Sequence, residues 1–281
     1  MTSETPLRSA RNWFSKAAAT ALSCLRVAWL PKAGNPDVSR SHNELVILGN
    51  GPSLRPLIEQ HAGFLRGKDL LAVNYAVLSD YFEQLKPAFY LLADPLFFTD
   101  PEHRDRLFDT LVAKTRWPMH LFVSASARGH HPWKDKLKGH PHIRIHYFSM
   151  TPVEGFAWFT RLAYGRGWGM PRPRNVLIPC LMTGLRLGYP TLYLAGADHS
   201  WLKEIWVDDR NRVREDLNHF YDQNGAQDYV STKRLHELLY SLYVAFKSYH
   251  TLRAYADSLG RKVYNITEGS YIDAFERMKI E

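Results

Sequence analysis

Glu44-Leu45-Val46-Ile47-Leu48 runs directly into Gly49-Asn50-Gly51-Pro52-Ser53-Leu54, and the reading of this passage decides the fold. Five residues of largely apolar chain followed by a glycine-punctuated turn are a strand that enters a helix. Gly49 and Gly51 reach backbone angles closed to other residues and leave room for a ligand to approach the main chain, while Pro52 suits the first position of a helix. Backbone N–H groups at such a helix start attract phosphate. The pattern is neither GxGxxG nor GxxxxGK[ST], so the usual marks of dinucleotide binding and of ATPase chemistry are missing. A purely structural strand-to-helix turn is the plain alternative.

Outward from this corner, short apolar runs recur at 70–73, 89–92, 120–123, 143–147, 191–195 and 262–264, several of them separated by helix-length segments. That alternation predicts a Rossmann-like α/β fold, a largely parallel sheet with helices on both faces. Residues 231–259 form a long helical stretch with Leu235, Leu238, Leu239, Leu242, Tyr243 and Phe246 at three-to-four spacing. In open α/β sheets ligands bind beyond the carboxyl ends of strands. There the chain has Asn50, then Asn74, then Asp94, then Asp198-His199-Ser200, and after the last run Asn265 and Thr267. Amides and carboxylates on neighbouring strand ends can read a base edge or a hydroxyl, and each is also an ordinary turn or cap residue.

The 281 residues, 45% apolar and 13% aromatic, suffice for one substantial core. The expected organisation is a basic N-terminal segment and linker over 1–43, then a nucleotide-binding domain over 44–281 with a lid at about 198–230. A net charge of +8 favours anionic partners. Zinc-ligand spacing and RNA-binding signatures are missing, which argues against nucleic acid. The two cysteines, Cys24 and Cys180, lie far apart in apolar segments and fit a reducing, cytoplasmic compartment. No run reaches the roughly 20 apolar residues of a membrane span. Residues 8–30 place Trp13, Phe14, Leu22, Leu25 and Trp29 among Arg8, Arg11, Lys16 and Arg26 with no acidic residue. Such a helix can lie on the inner face of an anionic membrane, or pack on the domain.

The opening motif, with Val73-Asn74-Tyr75, Asp94-Pro95-Leu96-Phe97-Phe98 and Leu187-Gly188-Tyr189 through Gly196-Ala197-Asp198, resembles the small bacterial CMP-sialic-acid-dependent sialyltransferases in order and spacing. It also resembles the broader family of motility-accessory-factor and hydroxymethylpterin-diphosphokinase-like proteins, which share the GNGPSL opening. The resemblance spans about residues 45–275. It implies a nucleotide-binding α/β fold, donor contacts at Asn50, Gly51, Ser53 and Asn74, and an inverting transfer of sugar from a nucleotide-activated, CMP-linked donor to a cell-surface glycan or lipid-linked acceptor. Asp94 stands where the sialyltransferases have Asn, a difference that bears on the sugar, and Arg174-Asn175-Val176 matches the broader family's helix start. An ATP-dependent diphosphokinase and a non-catalytic nucleotide-binding protein of polysaccharide assembly are the competing functions.

The sialyltransferases keep a catalytic His between the GxD motif and the long helix; here that interval holds Asn218-His219-Phe220-Tyr221-Asp222. Removing the acceptor's hydroxyl proton needs a base that titrates near neutrality, so His219 is the first candidate and His199 the second, with Asp198 placed to orient a His or bind a hydroxyl. Charge developing on the departing phosphate is met by Arg172, Arg174 or Tyr221. Asp208-Asp209 is a carboxylate pair but reads as a solvated turn, and the His-rich loop 128–142 matches no standard metal site. The expectation is a metal-independent reaction with no cofactor besides the nucleotide-sugar substrate.

Overall fold

The apolar runs become strands because both of their faces find a helix layer. The computed structural model describes residues 6–34, 36–217 and 227–280. Its strands are β1 (Glu44–Leu48), β2 (Asp69–Val73), β3 (Phe89–Leu92), β4 (Met119–Ser124), β5 (Ile143–Phe148), β6 (Thr191–Ala195), β7 (Ile205–Val207), β8 (Val213–Leu217), β9 (Gln227–Val230), β10 (Lys262–Asn265) and β11 (Glu276–Arg277). The helices are α1 (Pro6–Trp29), α2 (Leu54–Gln60), α3 (Ala62–Leu65), α4 (Phe82–Leu85), α5 (Leu96–Thr99), α6 (Pro101–Lys114), α7 (Pro132–Leu137), α8 (Ala157–Gly165), α9 (Leu177–Leu187) and α10 (Leu235–Ser258).

Eight strands form one sheet in the order β11-β10-β6-β1-β2-β3-β4-β5, and every pairing in it is parallel. This is the Rossmann-like α/β fold that the alternation predicts. Strand residues alternate between two cores, as a two-residue period demands. Leu45, Ile47, Leu71 and Val73 pack with the buried residues of α9 and with Tyr249, Leu252 and Ala256 of α10. Val46, Leu48, Leu70 and Ala72 face the opposite way, onto Leu54, Leu57 and Ile58 of α2 and Phe108 and Leu111 of α6.

Local signals set the helix ends. Asp100 accepts the His103 N–H (2.9 Å) at the start of α6, with Pro101 in the first turn. Gly188, at φ 91°, ends α9 in the left-handed conformation. The chain lays β2 to β5 on one side of β1 and then β6, β10 and β11 on the other, so strand order reverses between β1 and β6, where such folds bind ligands. Between β6 and α10 the chain inserts a small antiparallel sheet, β7-β8-β9. No helix among the described residues is long and apolar enough to cross a membrane.

Candidate functional site

At the reversal point the glycine turn is closed against the protein itself. Gly49 N–H donates to Ala195 O (2.8 Å) and Gly51 N–H to Gly196 O (2.9 Å), joining the ends of β1 and β6. A Cβ on Gly51 would lie 2.7 Å from Gly196 O and run into the Asp198 carboxylate, and one on Gly49 would run into Gly196 O. Asp198 holds the start of α2, accepting Ser53 Oγ (2.8 Å) and Ser53 N–H (3.3 Å). The room left by the missing side chains is therefore filled by the 195–198 turn. The N–H groups of Gly49, Gly51 and Ser53, expected to meet phosphate, already have acceptors within the protein.

The side chains around the corner behave differently. Gly49, Asn50, Gly51 and Pro52 line a pocket of about 750 Å³ together with Asn74 after β2, Asp94 after β3, Arg174 and Asn175 before α9, and Asp198 and His199 after β6. That volume is in the range of small-molecule sites. Three amide atoms of residues that line the pocket, Asn50 Oδ1, Asn74 Oδ1 and Asn175 Nδ2, are buried and have no hydrogen-bond partner among the described residues. Each remaining half-amide is fixed or its residue is held in place. Asn50 Nδ2 donates to Val73 O (3.3 Å). Asn74 sits at φ 48°, its carbonyl accepting the Tyr90 hydroxyl.

Asn175 shows how the wall is built. Its Oδ1 accepts N–H bonds from Leu177 (3.0 Å) and Ile178 (3.4 Å), so it caps the first turn of α9 and its oxygen is identified by its donors. The same oxygen accepts the hydroxyl proton of Tyr249 (2.9 Å). That hydroxyl has one proton to give, so His199 Nε2, 2.6 Å from Tyr249 Oη, is the donor of their bond and Nδ1 is the ring's acceptor. Burial drives the His199 pKa down to about 3. The ring is therefore neutral at pH 7, but far below the range in which a general base works best, and its geometry makes it a positioning group for Tyr249 and Asn175. For Asp198, burial raises the pKa more than the Ser53 bonds lower it, so its carboxyl lies above the usual Asp value.

The other expected residues divide. Asp94 is exposed at the pocket wall, with Oδ1 accepting the Leu96 N–H (2.9 Å), so it both lines the site and closes a turn. Arg174 is exposed at the pocket, whereas Arg172 is ion-paired to Glu154 (2.6 Å). Ser53 and Thr267 face a separate cavity of about 540 Å³ instead. Thr267 Oγ1 accepts Ala197 N–H (3.0 Å) and donates to Leu194 O (3.2 Å), giving partners to buried backbone groups at the end of β6. His219 and Tyr221 lie outside the described residues. Asp208 closes the β7–β8 turn, accepting N–H bonds from Arg210 (3.0 Å) and Arg212 (2.9 Å). Among the described residues no group of three His, Cys, Asp or Glu side chains is placed to hold a metal ion.

Four further pocket residues, Tyr75, Phe97, His103 and Glu204, were not among the expected ligand contacts. Tyr75 meets Phe97 edge-on (5.0 Å between ring centroids) and His103 (6.3 Å), forming an aromatic wall. Glu204, in the turn before β7, brings an exposed carboxylate to the rim. Tyr75 stands beside Asn74 at the end of β2, the pair that the strand-end rule marks, while nothing local in the sequence marks His103 or Glu204.

No known protein-family model matches the chain, and no curated protein matches it. Among solved structures its fold is similar to "Structure of MAf glycosyltransferase from Magnetospirillum magneticum AMB-1", at 14% identity and a TM-score of 0.51. That match covers 98% of this chain and 42% of the other, so the chain spans less than half the length of that protein. At this identity the likeness concerns the fold.

Proposed function

We propose that the chain is a glycosyltransferase that binds a nucleotide-activated sugar in the 750 Å³ pocket and transfers the sugar to a hydroxyl of a cell-surface glycan or lipid-linked acceptor. The observation that carries this reading is the trio of Asn50 Oδ1, Asn74 Oδ1 and Asn175 Nδ2, buried atoms of pocket-lining residues with no partner among the described residues. Burying an amide atom without a bond costs about 1–3 kcal/mol, an arrangement retained where a ligand supplies the missing partner. Two acceptors and one donor suit the mixed edge of a nucleobase or a set of ribose hydroxyls, reached by small rotations of the amides. The aromatic wall of Tyr75 and Phe97 gives a base a surface to rest on. The likeness in fold to a glycosyltransferase points the same way.

With the corner's N–H groups occupied, the donor's phosphate falls to the guanidinium of Arg174 and to Tyr221. His219 takes the acceptor's proton as the sugar moves with inversion. The reaction runs without a metal, and full activity in excess chelator is the required outcome.

A thermal-shift panel of CMP, CTP, UDP, GDP and ATP, followed by hydrolysis assays on the corresponding nucleotide-sugars, tests the proposal. A ligand that binds the folded state raises its apparent stability with the logarithm of concentration over the dissociation constant. Stabilisation by CMP with turnover of a CMP-linked sugar gives the sialyltransferase-like form of the reading. Stabilisation by ATP alone, dependent on magnesium, gives a diphosphokinase and ends it. Loss of transfer in His219→Ala with unchanged nucleotide affinity supports the base; full transfer in that variant removes it.

A further inference from the structure

Helix α1 meets the rest of the protein through its small residues. Ser23 Oγ donates to Glu154 O (3.0 Å) and accepts Glu154 N–H (2.9 Å), Thr20 Oγ1 accepts Phe156 N–H (2.9 Å), and Val27 enters the core. Gly155, at φ 127°, has no side chain because Thr20 occupies that space. The large apolar side chains point the other way: Phe14 is 68% exposed, Leu22 47%, Leu25 60% and Trp29 86%. At about 100° per residue these four fall within an arc of about 80°. A helix in a water-soluble domain ordinarily docks through such a stripe and shows water its small and polar residues; α1 is docked in the reverse sense. Helix α8, which begins directly after the 154–156 loop that receives α1, adds exposed Trp158 (66%) and Leu162.

The charges name what covers this face. Helix α1 carries Arg8, Arg11, Lys16 and Arg26 and no acidic residue, and α8 carries exposed Arg161 followed by Arg166. Tryptophan, leucine and phenylalanine on two helices that carry cations and no acidic residue are complementary to a bilayer surface, where rings enter the headgroup layer and cations meet lipid phosphate. We infer that the outward face of α1, extended by Trp158 and Leu162, is a peripheral docking site for a bilayer containing anionic phospholipid. The face is independent of the pocket chemistry, and it would hold the enzyme beside acceptors displayed at a membrane.

The full chain is sedimented with vesicles of phosphatidylglycerol and phosphatidylcholine, and with phosphatidylcholine alone. Binding to the anionic vesicles, weakened by added salt, is expected. Leu25→Ser with Trp29→Ser lowers the vesicle partition at least about tenfold with no change in melting temperature, since both side chains are exposed. Arg11→Glu with Lys16→Glu abolishes the preference for anionic lipid, and bromine-labelled lipid quenches tryptophan emission in the wild type. The inference is overturned if the wild type stays in the supernatant, or if the Leu25→Ser, Trp29→Ser variant sediments like the wild type. It is equally overturned if that variant turns a solution dimer into a monomer, which would assign the face to a second copy of the chain.

Discussion

The glycine corner and the amide wall share one strand end, and they treat their hydrogen-bonding groups in opposite ways. At the corner, the N–H groups of Gly49, Gly51 and Ser53 are all taken by the 195–198 segment. One residue away, after β2 and before α9, Asn50, Asn74 and Asn175 each bury an amide atom with no partner among the described residues. The N–H groups of Gly49, Gly51 and Ser53 at the sheet's reversal point are committed to the 195–198 segment, and on the proposed function recognition falls to side chains. A change at the corner should therefore appear in stability, and a change at the wall in binding.

Gly49→Ala breaks the comparison most severely. Its Cβ would meet the backbone of Gly196, with the carbonyl carbon at 2.9 Å, and a backbone carbonyl within a paired strand end cannot swing aside. A loss of about 3 kcal/mol in urea unfolding is expected. A loss under about 0.5 kcal/mol would mean that the corner is loose and has room for a ligand after all.

His199 links the two regions, following Asp198 of the corner and reaching Asn175 of the wall through Tyr249. Its folded pKa lies near 3, below the ordinary 6.5, so the sign is that of a base kept neutral by folding. Stability from this group is complete above about pH 6.5 and is lost as pH falls toward 3, amounting to about 2 kcal/mol at pH 5. His199→Asn, which tolerates the left-handed φ of 52°, should flatten the stability profile between pH 6.5 and 5 relative to wild type. His120 and His146, which also have lowered pKa values, are common to both proteins and cancel in the difference. Parallel profiles would show that His199 protonates in the fold as easily as in the unfolded chain.

Asn74→Gly sharpens the contrast from the other side. Glycine accepts φ 48° without strain, and the deleted Oδ1 has no partner among the described residues, so stability should change by no more than about 0.5 kcal/mol. Nucleotide affinity in the thermal-shift panel should fall about tenfold. Unchanged affinity would remove Asn74 from the binding wall.

How much of this was legible follows from which forces leave a trace in sequence. Runs such as Leu45-Val46-Ile47-Leu48 and Thr191-Leu192-Tyr193-Leu194-Ala195 are buried on both faces, and that burial is visible as unbroken apolar chain. The strand Val213-Arg214-Glu215-Asp216-Leu217 pairs in a small sheet outside the main core, so its charged residues hide it. The strand-end rule selected Asn50, Asn74 and His199 because position along a strand survives in sequence, whereas Asn175, which precedes α9 instead of following a strand, came only from the family resemblance. The rule also selected Ser53 and Thr267, which hold the turn, because turning a chain and binding a ligand use the same residue types. Whether a glycine makes room for a ligand or for a neighbouring strand depends on β6, 140-odd residues later in the chain, and no local pattern records that.

Asp198→Asn is the smallest perturbation and decides what the corner's one carboxylate is for. Burial lifts its pKa and the Ser53 bonds oppose that lift, with the net shift upward. A raised folded pKa means that its contribution to stability is full below about 3.8 and declines as pH rises through the folded value. Asparagine keeps both links, its Oδ1 accepting the Ser53 N–H and its Nδ2 donating to Ser53 Oγ, and it removes the charge. The variant should match wild type at acid pH and gain on it, by less than about 1 kcal/mol, as pH rises through the window just above 3.8. If Asp198 serves the corner alone, turnover and nucleotide affinity follow wild type across that window. Intact stability combined with lost transfer would move this carboxylate from the structural side of the comparison to the chemical one, as a group that binds a substrate hydroxyl or orients a histidine.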